Sequence, residues 1–283
     1  MNRRRFLTRA LQSTAGVLCL AQADLTASGL RPGRLSRIGM QLYTVRRELE
    51  KDFEGTLARV AALGYREVEF AGYFNRPPKE VRTLLDRHRL ASPAAHVPLA
   101  ALRGSLQEMI DAARLIGHKY LLVAYLPAEE RRSPDDYRRL ADLFNEAGGR
   151  LRKAGLQFAY HNHDFEFAPT GGHVPYDLLL ERTDPRLVKM EMDLYWTVKG
   201  GASPLRYFEK YLGRFHLLHV KDMDSTPKRY FTEVGRGVID FKAIFASAGR
   251  AGVRHYFVEQ DATPGSPFDS LRVSMDYLRK LEF

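Results

Sequence analysis

Ala61-Ala62-Leu63-Gly64-Tyr65-Arg66-Glu67-Val68-Glu69-Phe70 contains the unit on which the fold turns, a helical run closed by glycine and followed at once by a short strand. The unit recurs. Leu115-Ile116-Gly117 precedes Tyr120-Leu121-Leu122-Val123, and Lys153-Ala154-Gly155 precedes Phe158-Ala159-Tyr160. Tyr211-Leu212-Gly213 leads into Leu217-Leu218-His219-Val220, and Ala251-Gly252 into Tyr256-Phe257-Val258-Glu259. Glycine just past a helix tolerates the left-handed backbone that ends it. Ahead of the first unit, Phe53, Leu57, Val60 and Ala61 recur at helical spacing on one face. Strands are expected near 38–43, 66–70, 91–97, 119–125, 156–161, 187–193, 214–220 and 254–259. Eight β-α units in about 250 residues predict a (β/α)8 barrel of the TIM type over 38–283. A doubly wound sheet is the competing architecture. It needs a phosphate-binding glycine turn after its first strand, which Gly39-Met40-Gln41-Leu42 does not supply. Gly235-Arg236-Gly237 has Asp240, not glycine, beyond it and makes no dinucleotide fingerprint.

The 283 residues are 45% hydrophobic and 28% charged, with a mean hydropathy of −0.35, an ordinary globular balance. No apolar run approaches the roughly 18 residues of a membrane span. A single cysteine excludes a disulfide framework and a zinc ribbon. Residues 1–23 hold Arg3, Arg4, Arg5 and Arg9 and no acid, so removing them takes the net charge from +10 to +6. The rest is spread among mixed runs such as Glu129-Glu130-Arg131-Arg132, unlike the basic face of a nucleic-acid protein.

The basic start, the apolar stretch Ala10–Leu20 and Ala21-Gln22-Ala23 read as a secretory signal over 1–23, followed by a linker over 24–37. Arg3-Arg4 with Phe6-Leu7 resembles a twin-arginine signal, which implies export in the folded state to the periplasm. Cleavage after Ala23 removes Cys19 and with it any thiol chemistry.

Polar residues gather at the strand ends. Lys189, Glu191 and Asp193 share one face of the sixth strand, opposite Val188, Met190 and Met192. Ala159, His161 and His163 share a face of the fifth, Leu217, His219 and Lys221 of the seventh, and Phe257, Glu259 and Asp261 of the eighth. Of His216 and His219, three apart on a strand, only one is expected to face the interior, and His219 shares its face with Lys221. Buried charge must be paired or coordinated, and barrels keep their active sites at this end. Four adjacent strands carrying imidazole and carboxylate suit one divalent ion of the manganese, zinc, cobalt or magnesium kind. A metal-free salt-bridge network is the competing reading.

On these residues the chain resembles the xylose isomerase-like barrels, a superfamily of sugar isomerases and epimerases that includes inosose dehydratases and endonuclease IV. The resemblance spans 38–282. It is carried by Tyr160-His161-Asn162-His163, Met192-Asp193-Leu194-Tyr195-Trp196, His219-Val220-Lys221-Asp222, Val258-Glu259-Gln260-Asp261, and Gly235–Asp240 as the turn before the last helix. It implies a metal held by Asp193, His219 and Glu259, with His161 where epimerases carry Glu, and His163 as the other candidate for that fourth place. It further implies a small sugar substrate and an enediolate stabilised by the metal. Glu259 is then the first candidate base, His163 the second, and Lys221 an oxyanion partner. Tyr43, Glu69, His96 and Trp196, at or just past strand ends, are candidates to contact the sugar. The expected activity is isomerisation or epimerisation of an unphosphorylated sugar or glycoside. The alternatives are a lyase of keto-sugars or keto-glycosides and a non-catalytic sugar-binding barrel.

Overall fold

A computed structural model of the chain describes residues 33–283. The five glycines that punctuate the sequence, Gly64, Gly117, Gly155, Gly213 and Gly252, all have positive φ, between 70° and 101°. Each releases the chain into a strand: β2 (Glu67–Phe70), β4 (Tyr120–Val123), β5 (Gln157–His161), β7 (Phe215–Val220) and β8 (His255–Val258). With β1 (Gly39–Gln41), β3 (Ala91–Val97) and β6 (Val188–Asp193) they form a closed parallel barrel, in which β1 pairs with both β2 and β8. Helices surround it, as the β-α rhythm predicts. A two-stranded antiparallel ladder, Asp222–Met223 with Phe231–Thr232, follows β7.

Alternation along the strands sorts the side chains. Val188, Met190, Met192, Leu218, Val220 and Val258 join the outer core under the helices. Ala94, Tyr120, Leu122, Ala159, Leu217 and Phe257 form a separate cluster inside the barrel. That plug is tight, since a Cβ on Gly39 would stand 2.6 Å from the Phe257 ring. Two positions on, His96, His161, His219 and Glu259 follow Ala94, Ala159, Leu217 and Phe257, while Ala124 follows Leu122. The plug is therefore the floor of the site.

Two expectations need correction. His216 does not turn away from the interior side chains. The β6–β7 register slips between Met190↔Phe215 and Glu191↔Leu217, and the bulge lets the His216 ring meet Tyr120 Oη at 3.1 Å. It lies at the far end of β7 from His219. Residues 33–37 are also no free linker, because Gly33 exchanges two backbone hydrogen bonds with Phe283 and Arg34 pairs with Glu282. The signal over 1–23, its Cys19 and the linker over 24–32 lie outside the described residues. No described helix is long and apolar enough to cross a membrane.

Gly235-Arg236-Gly237 serves the fold. The Asp222 carboxylate accepts from the backbone N–H groups of Met223, Gly235, Gly237 and Ile239 at 2.8–3.2 Å. A Cβ on Gly237 would strike Met223 O at 2.2 Å. The turn leads into the helix Phe241–Ala251, and one more helix, Pro267–Lys280, follows it.

One buried histidine ties stability to pH. His118 Nδ1 lies 2.7 Å from Ser92 O, and Tyr73 Oη lies 3.0 Å from its Nε2. Burial holds its pKa down to about 4, against 6.5 for the free side chain. Between those values the unfolded chain binds a proton that the native state refuses, so stability is lost as pH falls. The full contribution is on the order of 3 kcal/mol. Urea unfolding at pH 7 and pH 4 should show a smaller acid loss in His118→Gln than in wild type. Equal losses would place the sensitivity elsewhere.

Candidate metal centre

The ends of β5 to β8 deliver His161, Asp193, His219 and Glu259 to one level, each at most 6% exposed. Asp193 pairs with His219 across β6–β7, and Phe257, two residues before Glu259, pairs with His219 across β7–β8. His161 Nε2 lies 3.0 Å from His219 Nδ1 and 3.3 Å from Asp193 Oδ2, and His219 Nδ1 lies 2.8 Å from Glu259 Oε2. One donor atom from each of the four falls within 4.8 Å of the others. Nitrogen and oxygen ligands bind a zinc-like ion at about 2.0–2.2 Å, so small rotations complete the shell. The donor set also shows its need for a cation. Lys221 Nζ stands 3.0 Å from Asp193 Oδ2, 2.7 Å from Glu259 Oε2 and 2.8 Å from Asp261 Oδ1.

The other edge of His219 is held from below. Its Nε2 lies 2.6 Å from Glu69 Oε2 and 3.1 Å from Glu191 Oε2. His96 Nε2 sits 3.1 and 3.3 Å from the same two carboxylates, and Gln41 Nε2 donates to Glu69 at 2.7 Å. Carboxylates behind a ligating imidazole fix its tautomer and orientation. Glu69 is fully buried in this layer and does not line the cavity, unlike a substrate contact.

These contacts set the charges. Burial alone would neutralise His219 and Lys221, but Glu191 and Glu259 for His219, and Asp193 and Glu259 for Lys221, outweigh it and push both pKa values up. Burial likewise opposes ionisation of Glu259, yet Lys221 and His219 hold it well below the usual range. Asp193 is lowered by the same balance, chiefly through Lys221, and His96 is raised to about 9 by Glu69 and Glu191 despite burial. His163 goes the other way. Burial, then His161 and Lys221, lower it to about 2, so it is neutral at physiological pH.

Above the centre opens a cavity of about 670 Å³ whose wall includes Tyr43, His96, His161, His163, Lys221 and Glu259. Both histidines stand on the wall, and of the two His161 is the one in the ligand cluster. Trp196 packs behind it, its ring 5.3 Å from His163 and 5.7 Å from Lys221 Nζ, outside the lining.

Sequence reasoning missed several supports. Glu191 lies on the face already marked by Asp193, but alternation does not reveal its depth. Asn162 Oδ1 accepts from Asp193 N at 3.1 Å, and its Nδ2 reaches Thr197 Oγ1 at 3.2 Å. Glu166 accepts from Tyr160 Oη and from His163 N at 2.9 Å, bracing the turn that follows His161 and carries His163. Spacing within Tyr160–Glu166 was the available signal. Glu191→Gln, which keeps volume and removes charge, should weaken metal binding about 10–100-fold in a chelator competition. Unchanged affinity would mean that Glu69 alone orients His219.

The matches to known proteins agree with this fold. Inosose dehydratase of Lacticaseibacillus casei is 25% identical over 268 residues, covering 81% of this chain and 89% of that protein. A crystal structure of a sugar phosphate isomerase/epimerase from Parabacteroides distasonis ATCC 8503 superposes with a TM-score of 0.78 at 28% identity, covering 88% of this chain and 99% of that one. The IolI protein, crystallised with a bound zinc atom, shares the fold at a TM-score of 0.67 and 13% identity, covering 85% of this chain and 95% of that one. The model of the xylose isomerase-like TIM barrel family matches residues 57–281, and the chain belongs to that family.

Proposed function

We propose that this chain is a divalent-metal-dependent lyase that removes water or an alcohol from a keto-sugar or keto-glycoside. The observation that carries the reading is the one-sided placement of carboxylates. Glu259 and Asp261, the carboxylates on the cavity wall, both follow β8. Inverting a carbon requires a second acid or base across it, and the opposite wall offers Val97, Leu99 and Ala124 beside His96, whose Nε2 is already engaged by Glu69 and Glu191. Elimination proceeds with one base. A divalent ion on His161, Asp193, His219 and Glu259 would supply Lewis-acid polarisation of the ketone and its neighbouring hydroxyl.

The chain's own groups do the rest. Glu259 Oε2 faces His219 and Lys221, leaving Oε1 to take the proton from the carbon beside the ketone. The Lys221 ammonium donates to the oxygen on which charge develops. In a syn elimination the Glu259 carboxyl returns the proton to the departing oxygen, so ketone and alcohol yield enone and water or free alcohol. The twin-arginine-type opening supports action outside the cytoplasm, after export of the folded protein.

The second reading is isomerisation, favoured by the similarity to the Parabacteroides isomerase/epimerase. Protein loaded with manganese, zinc or cobalt, incubated with an inosose in D2O, separates the outcomes. Loss of water, leaving an enone without the abstracted α-hydrogen, supports the lyase. Exchange with unchanged mass apart from deuterium supports the isomerase. Binding without exchange overturns both and leaves a sugar-binding barrel.

A further inference from the structure

We propose that the substrate of this cavity carries an uncharged apolar group about the size of an aromatic ring beside its sugar ring, and carries no phosphate. The inference rests on the keto-sugar reading of the metal centre. Its basis is the division of the wall. The polar half comes from the ends of β5, β7 and β8, as His161, His163, Lys221, Glu259 and Asp261. The other half comes from the end of β3 and the loops after β2, β3 and β4 and presents, beside His96, Ala71, Val97, Leu99, Ala124, Tyr125 and Pro127. Apart from the Tyr125 hydroxyl and the His96 ring, whose Nε2 is held by Glu69 and Glu191, none of these side chains can donate or accept a hydrogen bond to a sugar hydroxyl.

Volume points the same way. At about 670 Å³ the cavity lies in the range that takes drug-sized ligands rather than a lone monosaccharide. Tyr125 remains 52% exposed and Tyr43 42% exposed on the wall of this cavity. The Tyr125 ring is braced edge-on by His163 at 5.5 Å and Phe165 at 6.0 Å, which leaves half its surface for a ligand. Rigid, half-covered aromatic rings suit stacking against a planar apolar group.

A phosphate finds no unpaired counter-charge among the described lining residues, since His96 already faces Glu69 and Glu191. Lys221 is the one cationic side chain among the described lining residues except for the histidines, and three carboxylates already surround it at 2.7–3.0 Å. Two arginines stand nearby but outside the lining, each stacked on a ring and donating to backbone carbonyls. Arg46 lies 3.9 Å from the Tyr43 ring and donates to the carbonyls of Tyr43 and Asp261. Arg131 lies 3.6 Å from the Phe165 ring and donates to Leu126 O. A phosphate dianion would instead face Glu259 and Asp261.

Calorimetric titration of the metal-loaded protein with phenyl β-D-glucopyranoside, methyl β-D-glucopyranoside, glucose and glucose 6-phosphate tests this. Phenyl glucoside should bind at least about tenfold more tightly than methyl glucoside, since one methylene in an apolar pocket already yields about 10–200-fold. Glucose 6-phosphate should bind no better than glucose. Tyr125→Ala, at an exposed position that tolerates truncation, should cut the phenyl preference and leave methyl glucoside affinity unchanged. Equal affinity for phenyl and methyl glucosides overturns the inference and leaves the sugar reading standing, as does tighter binding of the phosphate. So does a self-association lost in Tyr125→Ala without any phenyl preference, because a second copy would then cover the apolar wall. Failure of all four compounds to bind removes the sugar reading and this inference with it.

Discussion

Asp193→Asn is expected to empty the metal centre while leaving the barrel folded. The two carboxylate oxygens have separate duties. Oδ1 caps the helix Leu194–Lys199 by accepting from Trp196 N at 2.9 Å. Oδ2 faces His161 at 3.3 Å and Lys221 at 3.0 Å. Asparagine caps helices as well as aspartate does, so its carbonyl oxygen stays with Trp196 N. Its amide NH2 then points at the position meant for the ion, replacing a negative acceptor with a donor. Bound metal should fall from about one ion per chain to a small fraction of that, because the site loses both a ligand and a charge. Turnover should fall about 10³-fold or more, which corresponds to about 4 kcal/mol and is within what a Lewis acid supplies. Elemental analysis, turnover and thermal unfolding on one preparation read the three effects together. Asp193→Ala should add about 1 kcal/mol of destabilisation through the lost cap. Full metal content in Asp193→Asn would move the ion elsewhere, most directly to Glu69, His96, Glu191 and His219, which also gather donor atoms within 4.8 Å.

What could be read in the sequence, and what could not, follows from the range of each signal. Glycine stops and helical periodicity are local, so the eight strands emerge within a few residues of their positions in the barrel. Alternation along β5 to β8 is local too, and it assigns Ala159, Leu217 and Phe257 to the same inward face as His161, His219 and Glu259. Depth is not local. Glu69 and Glu191 point inward, but their place beneath the cavity depends on strand stagger, including the slip between Met190 and Glu191. Alternation also stops where a strand stops. His163 is two residues past the end of β5 in a turn held by Glu166, and Trp196 is on a helix begun by Asp193. Those two could be assigned to the strand ends but not to a wall or a backing layer. His216 shows the reverse case, in which a bulge breaks the alternation rule inside a strand.

Lys221→Met should trade stability for metal affinity. The ammonium is about 2% exposed and stands within 3.0 Å of Asp193, Glu259 and Asp261. Methionine fills similar space along the stem but leaves those carboxylates without the ammonium between them. Removing one partner of a buried ion pair costs about 3–5 kcal/mol. In a barrel of this size that lowers the metal-free melting temperature by about 10 °C. A divalent ion can replace the missing charge, and it no longer has to approach a fixed ammonium beside two of its ligands. The variant should therefore gain more thermal stability from added manganese or zinc than wild type does, and should hold the ion more tightly against a chelator. Catalysis should move the other way. Loss of a positioned oxyanion donor costs about 10²–10³ in turnover, so a variant saturated with metal should still turn over that much more slowly. Three readouts with different signs separate the roles of the residue. Weaker metal binding in Lys221→Met would show that the ammonium assembles the carboxylates for the ion rather than competing with it. Unchanged turnover at full metal occupancy would confine Lys221 to holding the folded site together.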